Sequence, residues 1–332
     1  MACCVAGPDI STSSHTGSGY EPAGDLAGRL ATLARMFAMP VSDITSLEGA
    51  GLQVEGIAEK DLDEDELAAA HYRVLSHDLV PDAGVFLEDE GMLGGPLARS
   101  LHAHMTSTGF TPDDSTRSSG HMVNELGFLA HLLRSGYAIH AVAFWREHAS
   151  GWMPLVALHL HGTGSTWFDA LEASFGAALR DLRDMAGHHD ARGIPSPISP
   201  SSPTLPPALP EAHLDLDEPK VGLSRIGSYL AVPARSGLVL SRSTLAEIGR
   251  AFRLPTGFGS RARIVEGLLR SAAHYDGWDA VCDALLAECD RSEACWASSD
   301  SVWAERWKDR LSGTRAILLR MRDAQGAVTG SE

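Results

Sequence analysis

Long apolar runs are missing from this chain. No stretch approaches the roughly 20 residues needed to cross a bilayer, so no stable membrane insertion is expected. The opening residues, Met1-Ala-Cys-Cys-Val-Ala-Gly-Pro8, lack the basic start and apolar block of a secretory signal, and the expected compartment is the cytoplasm. Cysteines number five, which builds no disulfide framework, and none falls in a CxxC or CxxH pair that would hold zinc. Cys282 and Cys289, seven apart on one helix face, read as ordinary buried thiols in a reducing compartment. Aromatic residues make up only 6% while Ala and Leu are plentiful, a balance that suits packed helices better than sheets. GxGxxG, Walker A, G-x-S-x-G and H-E-x-x-H patterns are all absent, and no nucleophile has an identifiable base. The chain therefore does not read as an enzyme, and no cofactor is expected.

What is present divides 332 residues into blocks. Residues 1–23 are small and polar, with little to bury, and read as a disordered tail. Residues 24–187 read as helical. Amphipathic patterns run over Asp25–Met39 and Asp63–His77, followed by Pro96–Thr108, Ser119–Arg134, Ile139–Ala149 and Thr166–Met185. Residues 188–219 lose all periodicity in a Pro/Ser-rich linker containing Ile194-Pro-Ser-Pro-Ile-Ser-Pro200. Residues 220–325 read as a smaller C-terminal helical domain: Leu223–Leu230, Thr244–Phe252 with Ser243 as candidate N-cap, Arg261–Tyr275, Trp278–Cys289 and Val302–Met321. Residues 326–332 read as a second disordered tail. The fold class is all-α.

Charge is unevenly spread. Residues 1–218 carry 11 Lys and Arg against 30 Asp and Glu, a net of −19, whereas 219–332 carry a net of +3. Ten acidic residues fall within 61–90, opposed only by Arg73. Such a field repels nucleic acid and attracts cationic segments, so a basic peptide partner is expected and a nucleic acid is not.

The stretch 121–154 carries the most information. Met122, Leu126, Leu129 and Leu133 form a helical stripe, and His121 and Glu125 lie one turn apart at its edge. Phe144-Trp-Arg-Glu-His148 follows, closed by a Gly-Trp-Met-Pro turn at 151–154. An acid at the border of an apolar face binds a cationic partner at modest desolvation cost. A plain packing role, with Glu125 paired to His121 or Arg146, is the alternative. His121 and Glu125 also have the spacing of two metal ligands, with His131, His148, His159 or His161 available to complete a set. Fifteen histidines generate such coincidences by chance, and no metal is expected.

Several segments together resemble the TorD/DmsD family of cytoplasmic redox-enzyme maturation chaperones, over about residues 25–185. Tyr72-Arg-Val-Leu75 is similar to the family's Tyr-x-x-Leu-Phe helix. Val80-Pro81 through Val85-Phe86-Leu-Glu-Asp-Glu-Gly-Met-Leu-Gly-Gly95 is similar to its Pro-x-x-Ser-x-Tyr loop and the acidic glycine segment after it. Gly109-Phe110 matches the start of the connection to the next helix. Met122–Leu132 is similar to Leu-x-x-Glu-Leu-x-Phe-Met-x-x-Leu, and Phe144-x-Arg-Glu-His148-x-x-x-Trp152-x-Pro154 to Phe-x-x-x-His-Leu-x-x-Trp. The chain departs at Gly120-His121, where the family has Asp-His, and at Gly84 and Phe86, where it has Ser and Tyr. Pro233-Ala-Arg-Ser-Gly237 and Leu254-Pro-Thr-Gly-Phe-Gly259 resemble a longer subgroup associated with formate dehydrogenase-type enzymes.

That resemblance implies a TorD-like bundle and a client: the twin-arginine signal peptide or apo-form of a molybdenum redox enzyme, of formate dehydrogenase or DMSO-reductase type. The chaperone would hold it before cofactor insertion and export. Two adjacent guanidiniums followed by an apolar stretch call for acids beside an apolar groove. Glu88, Asp89, Glu90 and Glu125 supply the acids, Phe86, Leu129 and Trp152 the walls, and His121 and His148 complete the expected site. Domain-swapped dimers are known in the family, so a homodimer is compatible with this reading. A general helical protein–protein adaptor and, further off, a metal-dependent helical enzyme are the alternatives.

Overall fold

A computed structural model of the protein describes residues 21–40, 63–89, 91–112, 117–160, 166–191, 214–218, 221–297 and 302–329. The described residues form helices joined by turns and loops, with no strand among them and a lone antiparallel bridge between Asp82 and His121. The all-α class is thus observed. Residues 21–23 and 326–329 of the expected tails 1–23 and 326–332, and residues 188–191 of the expected linker, are helical instead, because the flanking helices run on through them. The rest of both tails, with Cys3 and Cys4, and Glu90, His161 and most of the linker lie outside the described residues.

The first helices are α1 (Glu21–Ala38) and α2 (Glu64–His71). Asp63 caps α2 by accepting from the backbone N–H groups of Asp65 and Glu66, and Glu64, Asp65 and Glu66 fill its first turn, where acids suit the helix dipole. The expected α-helix through His77 does not continue as such. Tyr72–Asp78 widens into a π-helix, closed by Leu79 N–H donating to the Val74 carbonyl at 2.8 Å. Val80 follows with φ 48°, a rare conformation for a β-branched residue, and strain is thereby stored directly before Pro81 and Asp82.

Next come α3 (Ala83–Leu87), α4 (Pro96–Ser107), α5 (Met122–Arg134) and α6 (Ala138–Glu147). A 3₁₀ turn over Ala149–Gly151 leads into α7 (Met153–Leu160), and α8 (Thr166–Ala191) follows. Helix α5 begins at Met122 rather than Ser119 because Ser118–His121 forms a turn, with His121 N–H donating to the Ser118 carbonyl at 3.0 Å, and His121 bridges to Asp82. The expected Gly-Trp-Met-Pro turn ends at Trp152, since Met153 and Pro154 already open α7. Helices α1 and α5 pack antiparallel: Arg134 reaches the Ala27 carbonyl at one end and Arg117 the Ala38 carbonyl at the other.

Beyond residue 220 lie α9 (Leu223–Leu230), α10 (Pro233–Ser236), α11 (Arg242–Ala251), α12 (Arg261–His274), α13 (Trp278–Trp296) and α14 (Val302–Thr329). The α11 cap is Ser241, not Ser243: its Oγ accepts from Thr244 N–H at 3.0 Å. Ser243 instead donates its hydroxyl and backbone N–H to the Asp78 carboxylate.

Two hydrophobic cores result. The larger is built from α1–α8, and Ala234, Val239, Trp296, Trp303, Ala304 and Trp307 from the C-terminal region pack into it. The smaller joins Leu214 with α9 and α11–α14. Cys282 and Cys289 are buried there, and burial pushes both thiols up to about 12, so they sit as inert thiols.

Candidate functional site

The motif segments meet where the loop before α3 crosses the loop before α5. Ala83 N–H donates to the Gly120 carbonyl at 2.8 Å and Met122 N–H to the Pro81 carbonyl at 2.9 Å. Asp82, wholly buried, caps α3 through Gly84 N–H at 2.9 Å and accepts the Ser118 hydroxyl at 2.5 Å. His121 caps α5 in the same manner, its ring Nδ1 accepting from Val123 N–H at 3.2 Å. Asn124, also buried, donates to the Ser118 carbonyl and holds the crossing from the other side.

Glu125 stands on the first turn of α5 with no solvent exposure. This corrects the expectation that it sits at the border of the apolar face. Its partners are neither His121 nor Arg146. One oxygen lies 2.7 Å from His148 Nε2, and the other accepts Trp152 Nε1–H at 3.1 Å. Arg146 donates to the Ala186 carbonyl instead. Burial pushes the Glu125 carboxyl well up, the His148 and Trp152 donors pull it back, and the nearby Asp82 charge pushes it up again. Burial likewise raises Asp82, against the Ser118 and Gly84 hydrogen bonds and the His148 charge. Two buried acids thus share the field of one imidazole.

The network is roofed by rings. Phe86 packs on Trp152 at 5.5 Å between centroids, and Phe144 on His148 at 5.2 Å. Phe86, Leu129, His148 and Trp152 are all buried, so the apolar walls expected of an open groove are core residues here. The physical reason is that α5, α6 and the 3₁₀ turn are packed together and leave no gap over that face. The His121–Glu125 spacing does not converge as a ligand pair either, since the His121 Nδ1 serves the helix cap. Among the described residues, no group of three or more His, Cys, Asp and Glu side chains converges as metal ligands.

Two glycines at the crossing are closely enclosed. A β-carbon on Gly84 would meet the Met92 carbonyl oxygen at 2.6 Å, so Ser does not fit there without backbone movement. A β-carbon on Gly120 would sit 3.4 Å from Asp82 Oδ1 and from the Ala83 β-carbon, so the crossing leaves little room there.

The acidic glycine segment reaches the surface. Glu88 accepts Leu97 N–H at 2.6 Å and so caps α4, and Gly95 lets it approach: a β-carbon there would lie 1.8 Å from the carboxylate. Asp89 is held by a two-pronged ion pair from Arg235 at 2.7 and 3.1 Å, which lowers its pKa. Next to these acids, Met92 and Leu93 are 59% and 57% exposed. Sequence reasoning quoted Met92 and Leu93 without singling them out, and it passed over Asp82 and Ser118. The signal for Asp82 was an Asp directly ahead of a short apolar run, the position of a helix cap.

No family model matches the chain, and no curated protein matches it.

Proposed function

We propose that the protein is a maturation chaperone for a molybdenum-containing redox enzyme, and that it captures the enzyme's twin-arginine signal peptide before cofactor insertion and export. One observation carries the reading. Glu88 and Asp89 stand beside the exposed Met92 and Leu93 on a single short segment. An acid pair next to flexible apolar side chains is complementary to two guanidiniums followed by an apolar stretch. The segments that resemble the chaperone family also converge behind this loop. In this reading Glu125, His148 and Trp152 are positioning residues: through Phe86 and Asp82 they fix the shape of the loop, and client contact falls to Glu88, Asp89, Met92 and Leu93.

The test is a calorimetric titration of the full chain with a twin-arginine signal peptide, its Lys-Lys variant serving as control. Binding at about micromolar Kd or tighter, weakened by Lys-Lys and by Leu93→Ser with the fold unchanged, supports the proposal. A folded protein that binds no such peptide overturns it. That outcome favours the general adaptor reading.

A further inference from the structure

Along the antiparallel pair α1–α5 runs a cavity of about 740 Å³, a size typical of small-molecule sites. Its floor is made of small residues, Gly28, Ala31 and Ala34 from α1 with Gly127 and Ala130 from α5. Phe110 walls one side, 3.4 Å from where a β-carbon on Gly127 would lie. At Gly28 an added β-carbon would meet nothing within 4 Å, so the floor there is open.

The ionisable groups that line the cavity are Arg35, Arg117, His131 and Arg134, with no acidic side chain among its described lining residues. Arg35 and Arg134 are exposed, and their described hydrogen bonds go to uncharged oxygens: Arg35 to Thr32 Oγ1 at 3.2 Å, Arg134 to the Ala27 carbonyl at 3.4 Å. Several arginines elsewhere pair with carboxylates, as Arg29 does with Asp181, Arg225 with Glu218 and Arg315 with Asp290. Three arginines and no acid among the described lining residues, in a chain of net charge −16, reverse the sign of the surroundings. The helix pairing also fixes where the charges lie. Arg134 sits beside Ala27 and Arg117 beside Ala38, so at ~1.5 Å per helical residue the two ends are about 16 Å apart.

We propose that this groove binds an elongated organic dianion. Its apolar body lies on the glycine and alanine floor against Phe110, and its negative groups meet Arg134 at one end and Arg35 toward the other. Guanidiniums match oxyanions in shape and charge, and the small floor lets a flat ligand approach the helix backbones closely. A cavity of this sign repels a twin-arginine peptide, so the site is separate from the acidic loop at 88–93 and does not rest on the chaperone reading.

The probe is the fluorescent disulfonate 4,4′-dianilino-1,1′-binaphthyl-5,5′-disulfonate, titrated into the full chain. Saturable one-to-one binding is expected. Arg35→Ala and Arg134→Ala each weaken it about tenfold, the loss of one charge-assisted hydrogen bond. Gly28→Leu, which fills the open floor and favours helix, weakens it with helicity retained. Arg270→Ala, in the second core region, leaves it unchanged. The neutral N-phenyl-1-naphthylamine does not displace the probe. Absence of saturable binding, titration curves unaffected by all three groove variants, or displacement by the neutral dye overturns the assignment.

Discussion

Removing the Glu125 carboxylate separates a positioning role from a spectator one. In Glu125→Ala, His148 Nε2 and Trp152 Nε1 lose their acceptor while both rings remain buried. Each stranded donor costs about 1–3 kcal/mol. Part of that loss is offset, because burial already penalises the charged carboxylate and the variant no longer bears that cost. The expected net destabilisation is about 2–4 kcal/mol, a fall in Tm on the order of 10 °C for a chain of this size. Glu125→Gln behaves differently. The amide oxygen accepts from Trp152, the amide NH₂ lies toward His148 Nε2, and the buried carboxylate is gone, so stability should stay within about 1 kcal/mol of the native protein. The two variants also differ in pH response. A carboxyl whose pKa is raised by folding is protonated in the fold before it is protonated in the unfolded chain. Its contribution is therefore full below the unfolded value of 4.5 and is lost as pH rises toward the raised folded value. Gln removes that dependence. Urea unfolding followed by circular dichroism at pH 5 and pH 7 reads both effects. An Ala variant within about 0.5 kcal/mol of native, below the cost of even one stranded donor, would refute the network as described, as would a Gln variant as unstable as Ala.

Burial lowers the pKa values of His71, His104 and His159, the last to about 4, so all three are neutral in the fold. Their stabilising contribution is present above the unfolded value of 6.5 and lost as pH falls below it. Unfolding near pH 5.5 should therefore take up protons, and His159→Gln should show a smaller acid loss than the native chain; an equal loss would remove His159 from the account. Trp307→Phe deletes the Nε1–H bond to the Gly151 carbonyl at 2.7 Å and part of a buried ring, and should cost about 2–4 kcal/mol in urea unfolding. A change below that range would mean α14 does not brace the 3₁₀ turn. Ser241→Ala should cost ~1 kcal/mol as a lost cap, and Ser243→Ala less, a contrast that thermal melts resolve. Arg235→Ala should leave stability within ~1 kcal/mol, since its ion pair with Asp89 is partly exposed. On the proposed reading, Asp89 so released should let a twin-arginine peptide bind severalfold tighter by titration; weaker binding would mean Asp89 takes no part in binding it.

Helices whose apolar residues repeat along one face were legible from sequence. The stripe Met122, Leu126, Leu129 and Leu133 is buried throughout. Helix α7 escaped notice because Met153–Leu160 is apolar nearly all round, and a segment buried on several sides has no amphipathic period to read. The π-helix at Tyr72–Asp78 was hidden for the opposite reason: its residues fit a helical pattern, and the widened turn depends on the strained exit through Val80. At the site, spacing brought His121 and Glu125 together as one-turn neighbours, yet Glu125 bonds residues 23 and 27 positions away. Glu125, His148 and Trp152 stood out together in the stretch 121–154, and nothing in that stretch signalled that they would be sealed. Depth is set by the packing of α6, α7 and α14 around them, a property of several separate helices.

The hydrogen bonds from Trp303 to the Arg146 carbonyl and from Trp307 to the Gly151 carbonyl impose an order in time. Gly151 has no side chain where Trp303 lies, a β-carbon there falling 2.6 Å from the ring, so the turn is shaped to receive a residue far downstream. During synthesis at ~5–20 residues per second, Trp303 leaves the ribosome roughly 10–30 s after Trp152. For that interval the turn carrying His148 and Trp152 is without its brace, and the first bundle is exposed as a half-finished body. The turn gains its brace only once the chain has been made through Trp307.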